Sequence, residues 1–123
     1  MATILLVDDD PLQAFVRKSI LEKKFQDVLR AADAAEALCL VEQAQFAGGL
    51  GLVISDLHMP GIGGPAFVAE LHTRLPMVPV LVLGGVSEGP ADYAAEGVRF
   101  LPSPCASEEM LAMASQMLTP NGH

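Results

Sequence analysis

The amino-acid sequence predicts an α/β fold, a doubly wound five-stranded parallel sheet with helices on both faces. Three observations lead there. Five short apolar runs alternate with segments of helical pattern. The first, Thr3–Val7, is continuous and ends at three aspartates and a proline, as a buried strand stopping at a loop does. Aromatic residues are scarce, with no Trp and one Tyr, so the core has to be aliphatic. Strand–helix alternation of this kind closes into a parallel sheet with right-handed crossovers.

The elements follow in order. Thr3-Ile4-Leu5-Leu6-Val7 is a buried strand that stops at three aspartates. Asp10-Pro11 starts a helix, since Asp caps and Pro suits the first helical position. Leu12, Phe15, Val16 and Ile20 recur at helical spacing and are expected to form its apolar face. Val28–Ala31 is a second strand. Asp33 and Glu36 form a capping box that opens a helix carrying Leu38 and Val41. Gly48, Gly49 and Gly51 end that region, and Leu52–Ser55 is a strand running into Asp56. The stretch from His58 to Pro65, rich in Gly and Pro, reads as a loop. A helix from Pro65 to Leu75 buries Phe67, Val68 and Leu71. Pro79–Leu83 is the fourth strand, broken by Gly84-Gly85. A short Ala-rich helix is expected over Pro90–Glu96, a fifth strand over Val98–Leu101 and a last helix over Ser107–Leu118. Residues 1–119 are read as one domain and 120–123 as a disordered tail.

Composition narrows the function. Seven basic against fifteen acidic side chains leave a net charge of −8. That argues against a nucleic-acid-binding face, which needs a basic stripe. No apolar run reaches the roughly 18 residues of a membrane span, and no secretory leader pattern opens the chain. Cys39 and Cys105 read as ordinary reduced thiols, which together with these absences suggests a cytoplasmic location.

In a doubly wound sheet, ligands bind outside the carboxyl ends of the strands. Asp8, Asp9 and Asp10 follow the first strand, Asp56 ends the third, Gly84 follows the fourth and Ser103 the fifth. Carboxylates crowded at a buried edge repel each other unless a cation neutralises them. A hard divalent ion such as Mg²⁺ (or Mn²⁺) suits such oxygen ligands. A carboxylate can also attack phosphorus and form an aspartyl phosphate. Asp10 is read as the helix cap, leaving Asp8, Asp9 and Asp56 for this chemistry.

The runs Ile4-Leu5-Leu6-Val7-Asp8-Asp9-Asp10 and Val53-Ile54-Ser55-Asp56-Leu57-His58-Met59-Pro60-Gly61 resemble the acidic pair and the phosphorylation segment of the response-regulator receiver family of two-component signalling. The resemblance covers nearly the whole chain. It implies a flavodoxin-like fold with strand order 2-1-3-4-5. It implies that Asp56 is the phosphoacceptor, and that Asp9, Asp8, Asp56 and the backbone carbonyl of His58 hold Mg²⁺. It further implies a histidine kinase or phosphotransfer protein as donor and a protein as downstream target. Phe100 stands where the family often has a switching aromatic. Two positions depart from the family: Gly84 replaces a hydroxyl residue, and Ser103, before Pro104, replaces a lysine. Phosphate contacts are then expected from Gly84, Gly85 and Ser103, and the Ser103–Pro104 bond is expected to be cis. Catalysis would extend at most to the domain's own phosphorylation and dephosphorylation. The alternatives are a degenerate receiver that binds partners without phosphorylation, and a Mg²⁺-dependent phosphatase. The second resembles haloacid-dehalogenase-like hydrolases through Asp8-Asp9-Asp10, with Asp8 as nucleophile and Asp10 as acid.

Overall fold

The structure is a computed structural model, and it describes residues 3–43, 49–56, 64–84, 97–102 and 107–118. In chain order it contains β1 (Thr3–Val7), α1 (Pro11–Leu21), β2 (Asp27–Ala31), α2 (Ala34–Val41), β3 (Leu50–Asp56), α3 (Gly64–Arg74), β4 (Val80–Gly84), β5 (Val98–Pro102) and α4 (Ser107–Leu118). The strands form one parallel sheet in the order β2-β1-β3-β4-β5, as the resemblance implied. The expected helix over Pro90–Glu96 and the tail lie outside the described residues. So do the loop around His58 and the Ser103–Pro104 pair.

The alternation of side chains along each strand builds two cores. Leu5 and Val7 of β1, Val53 of β3 and Val80 and Val82 of β4 face α2 and α3, meeting Ala34, Ala37, Val41, Phe67, Val68 and Leu71. Ile4 and Leu6, Leu52 and Ile54, and Leu81 and Leu83 point to the opposite face. There they meet Leu21 of α1 and Met110, Ala114 and Met117 of α4. Both faces of the sheet are covered, so the central strands β1 and β4 carry near-continuous apolar runs.

Local signals set the helix starts. The Asp10 side chain accepts from the N–H groups of Leu12 and Gln13, with Pro11 in the first turn. Asp33 accepts from the Glu36 N–H at 2.8 Å, while the Glu36 carboxylate accepts from the N–H of Ala32. Strand β3 begins two residues earlier than the sequence suggested. Gly51 therefore lies inside it, because pairing of Thr3 with Leu50 extends the ladder across that glycine.

The apolar face assigned to α1 is corrected. Leu12, Phe15 and Val16 are 73, 69 and 46% exposed, and only Ile20 of that set packs against the core. The buried face is Ala14, Arg17 and Leu21. The reason is electrostatic: the helix turns a cation inward, where two buried carboxylates need one.

Candidate functional site at the carboxyl edge

Strand pairing brings the acids together. Val7 is opposite Ser55 in the β1–β3 ladder. The next residue on each strand is Asp8 and Asp56, so the two carboxylates leave neighbouring strands side by side. Both are buried. Burial is the largest influence on Asp8 and pushes its carboxyl above the usual aspartate range. The Asp10 N–H and the Arg17 guanidinium oppose that shift, while the charge of Asp56 adds to it.

Arg17 joins the pair. One of its terminal nitrogens, Nη1, donates to Asp8 Oδ2 at 2.9 Å and to Asp56 Oδ2 at 2.7 Å. The arginine side chain is itself 11% exposed, so this ion pair is shielded from water. Asp8 is fixed from other sides as well. Its Oδ1 accepts the Asp10 N–H at 3.0 Å, and its own N–H donates to the Ala31 carbonyl. Arg30 of β2 donates from Nε and Nη2 to the Asp8 carbonyl, at 3.1 and 2.9 Å. Two arginines thus hold one aspartate, one at its carboxylate and one at its backbone.

The remaining sequence candidates divide. Asp9 is exposed, one residue beyond the buried Asp8. Asp10 is committed to capping α1, which leaves it poorly placed as the acid of a hydrolase. Gly84 closes β4 beside Pro102 of β5. Phe100 is half-buried and packs against the core shared with α2 and α3. His58, Gly85 and Ser103 lie outside the described residues.

Among the described residues no group of three or more His, Cys, Asp or Glu side chains converges as a metal site. Two neighbouring buried carboxylates are ligands of the kind a divalent ion takes, but in this arrangement Arg17 stands between them. The positive charge between Asp8 and Asp56 belongs to Arg17, whose nitrogen takes one oxygen of each. Sequence reasoning looked for a lysine near the acids and missed this arginine. The signal was present: Arg17 lies three residues after Ala14 and four before Leu21, on the helix face opposite the more apolar one.

A five-stranded parallel sheet in the order β2-β1-β3-β4-β5, with Asp8 and Asp56 at its carboxyl edge, defines a flavodoxin-like α/β module. The chain matches the response regulator receiver domain family over residues 4–115, and it belongs to that family. It is 31% identical to the sensor kinase CckA of Brucella abortus over 123 residues, covering 95% of this chain and 12% of that protein. It is 36% identical to the response regulator protein FleR of Pseudomonas aeruginosa over 100 residues, covering 80% of this chain and 20% of that one. The crystal structure of the receiver domain from hybrid histidine kinase CckA matches with a TM-score of 0.79 and 33% identity, covering 95% of this chain and 99% of that chain. A signal receiver domain of an HD domain-containing protein from Pseudomonas fluorescens gives a TM-score of 0.84 at 29% identity, over 96% of this chain and 94% of that one. The chain spans only a small part of the length of these curated relatives. Receiver domains serve two-component signalling, pair with histidine kinases and are typically Mg²⁺-dependent. Among the described residues no helix is long and apolar enough to cross a membrane.

Proposed function

We propose that this domain accepts a phosphoryl group on Asp56 from a phosphohistidine of a partner kinase or phosphotransfer protein, and signals by binding a protein. The observation that carries the reading is the buried Asp56 carboxylate at the end of β3, paired across the strands with Asp8 and held at Oδ2 by Arg17. In the transfer, an Asp56 oxygen attacks phosphorus, the P–N bond to the donor imidazole breaks, and the imidazole nitrogen keeps the electron pair. The protein's share of such a reaction is positioning and neutralisation of charge. In the metal-free arrangement Arg17 fixes the acceptor and supplies one positive charge beside it. Phosphate contacts from Gly84, Gly85 and Ser103, and a packing response at Phe100, belong to the same proposal. So does Mg²⁺ or Mn²⁺ held by Asp8, Asp9, Asp56 and the His58 carbonyl, although the present arrangement gives the Asp8 and Asp56 oxygens to Arg17.

Incubation with a phosphorylated histidine donor, followed by mass mapping, tests the reading. The expected result is one phosphoryl group on Asp56, lost in Asp56→Asn. Modification at Asp8 instead would support the hydrolase reading. The Arg17 ion pair favours one further alternative, a receiver that binds partners without phosphorylation. Absence of any label, with the fold intact and donor active, would select it.

A further inference from the structure

We infer that Arg17 is a built-in competitor of the divalent cation, so that guanidinium and metal occupy the Asp8–Asp56 carboxylates in turn and never together. The inference rests on the same carboxylates as the proposed acceptor function. Its test reads metal affinity rather than phosphorylation, so either can fail alone.

Four observations carry it. First, one nitrogen, Arg17 Nη1, contacts an oxygen of each carboxylate, at 2.9 and 2.7 Å, so it sits at the point where a shared cation has to sit. Second, the side chain is directed there by its helix. The Asp10 cap and the packing of Ala14 and Leu21 fix the rotation of α1, and Arg17 is on the buried face between them. Third, among the described ion pairs Arg17 is the cation on Asp8 and Asp56. The seven Lys and Arg residues are 17, 18, 23, 24, 30, 74 and 99, so the segments 57–63, 85–96 and 103–106 contain none. Lys18 pairs with Glu22 and Arg74 with Glu42 and Glu70. Arg30 is spent on the Asp8 carbonyl. Fourth, the other Asp8 contacts, with the Asp10 N–H, the Arg30 guanidinium and the Ala31 carbonyl, use Oδ1 and the main chain. They leave Asp8 Oδ2 to whichever cation holds it.

Two cations cannot share one small buried oxygen pair, because their mutual repulsion and their overlap both oppose it. Metal entry then requires Arg17 to swing out, and the lost ion pair weakens the apparent metal affinity. By linkage, metal binding must weaken the Arg17 contacts to the same degree.

Mn²⁺ titration followed by electron paramagnetic resonance tests the idea on the parent and on Arg17→Gln, with folding checked by circular dichroism. The expected result is an affinity tighter by about tenfold or more in Arg17→Gln. In parallel, Mg²⁺ should raise the melting temperature of Arg17→Gln while leaving the parent nearly unchanged. A variant that folds only with Mg²⁺ present also supports the inference. Equal Mn²⁺ affinity in the two proteins overturns it. If Arg17→Gln does not fold under either condition, the parent decides alone. NMR of the Arg17 side-chain N–H signals at saturating Mg²⁺ should show them released from the carboxylates. Signals unchanged under saturation would mean that arginine and metal coexist, and the inference is wrong.

Discussion

Replacing Arg17 by Met keeps an apolar stem of similar length and removes the guanidinium held by the Asp8 and Asp56 carboxylates. The buried trio then changes from one positive and two negative groups to two negative groups alone. Removing one partner of a buried ion pair costs about 3–5 kcal/mol, because the charge left behind is uncompensated. The two charge-assisted hydrogen bonds are part of that figure and are not added to it. A 123-residue domain has a total stability of roughly 6–18 kcal/mol, so the loss is a large share of the whole. Urea unfolding at neutral pH with EDTA present measures it. Far-UV circular dichroism is the natural probe, since the chain has no Trp. The charge reasoning also predicts the double variant. With Asp8→Asn already in place, Arg17→Met should cost less by about 1 kcal/mol or more, as expected of residues in one network. A single variant within about 0.5 kcal/mol of the parent, the range of ordinary surface changes, would refute the view that this ion pair is shielded.

Other outcomes follow from the same structure. The Asp8 carboxyl has a folded pKa raised by burial, so the native state binds its proton more tightly than the unfolded chain does. Its contribution to stability therefore falls as pH rises from about 3.9, the ordinary aspartate value, through the higher folded value. Asp8→Asn should remove that slope, and urea midpoints across the window in metal-free buffer will show whether it does. Asp10→Ala loses the cap to the Leu12 and Gln13 N–H groups and should lower stability by about 1 kcal/mol; an unchanged melting temperature would count against the cap. Phe67→Ala, on the buried side of α3 against the sheet, should cost about 3–5 kcal/mol in the same urea assay. Phe15→Ser on the exposed side of α1 should leave stability unchanged, and a large loss there would restore the helix face first read from the sequence.

Much of the fold could be read in advance, because most strands announce themselves as apolar-rich runs stopped by Asp, Gly or Pro. The capping residues Asp10 and Asp33 were equally legible, since caps act within one helical turn. The rotation of α1 was not. Hydrophobicity alone ranks Leu12, Phe15 and Val16 above Ala14 and Arg17, yet tertiary charge balance turns the weaker face inward. The acidic half of the site was legible because Asp8 and Asp56 end strands that a parallel sheet must align. The basic half was hidden, because an arginine on a helix usually faces water. Its partners are visible only once β1, β3 and α1 are placed together.

The pairing of β1 with β3 also governs when the reactive centre comes into being. Arg17 is nine residues from Asp8 but 39 from Asp56. The first contact closes a short loop, and the second waits for a crossover that passes over β2 and α2. Long-range parallel pairing is slow to form, because the entropy of loop closure is lost before the contact rewards it. A nascent or partly folded chain can thus hold the arginine against one aspartate while the acceptor strand is still apart. Under the proposed acceptor role, chemistry at Asp56 becomes available only with the finished central ladder, so a donor that requires this geometry addresses folded molecules and passes over unfinished ones.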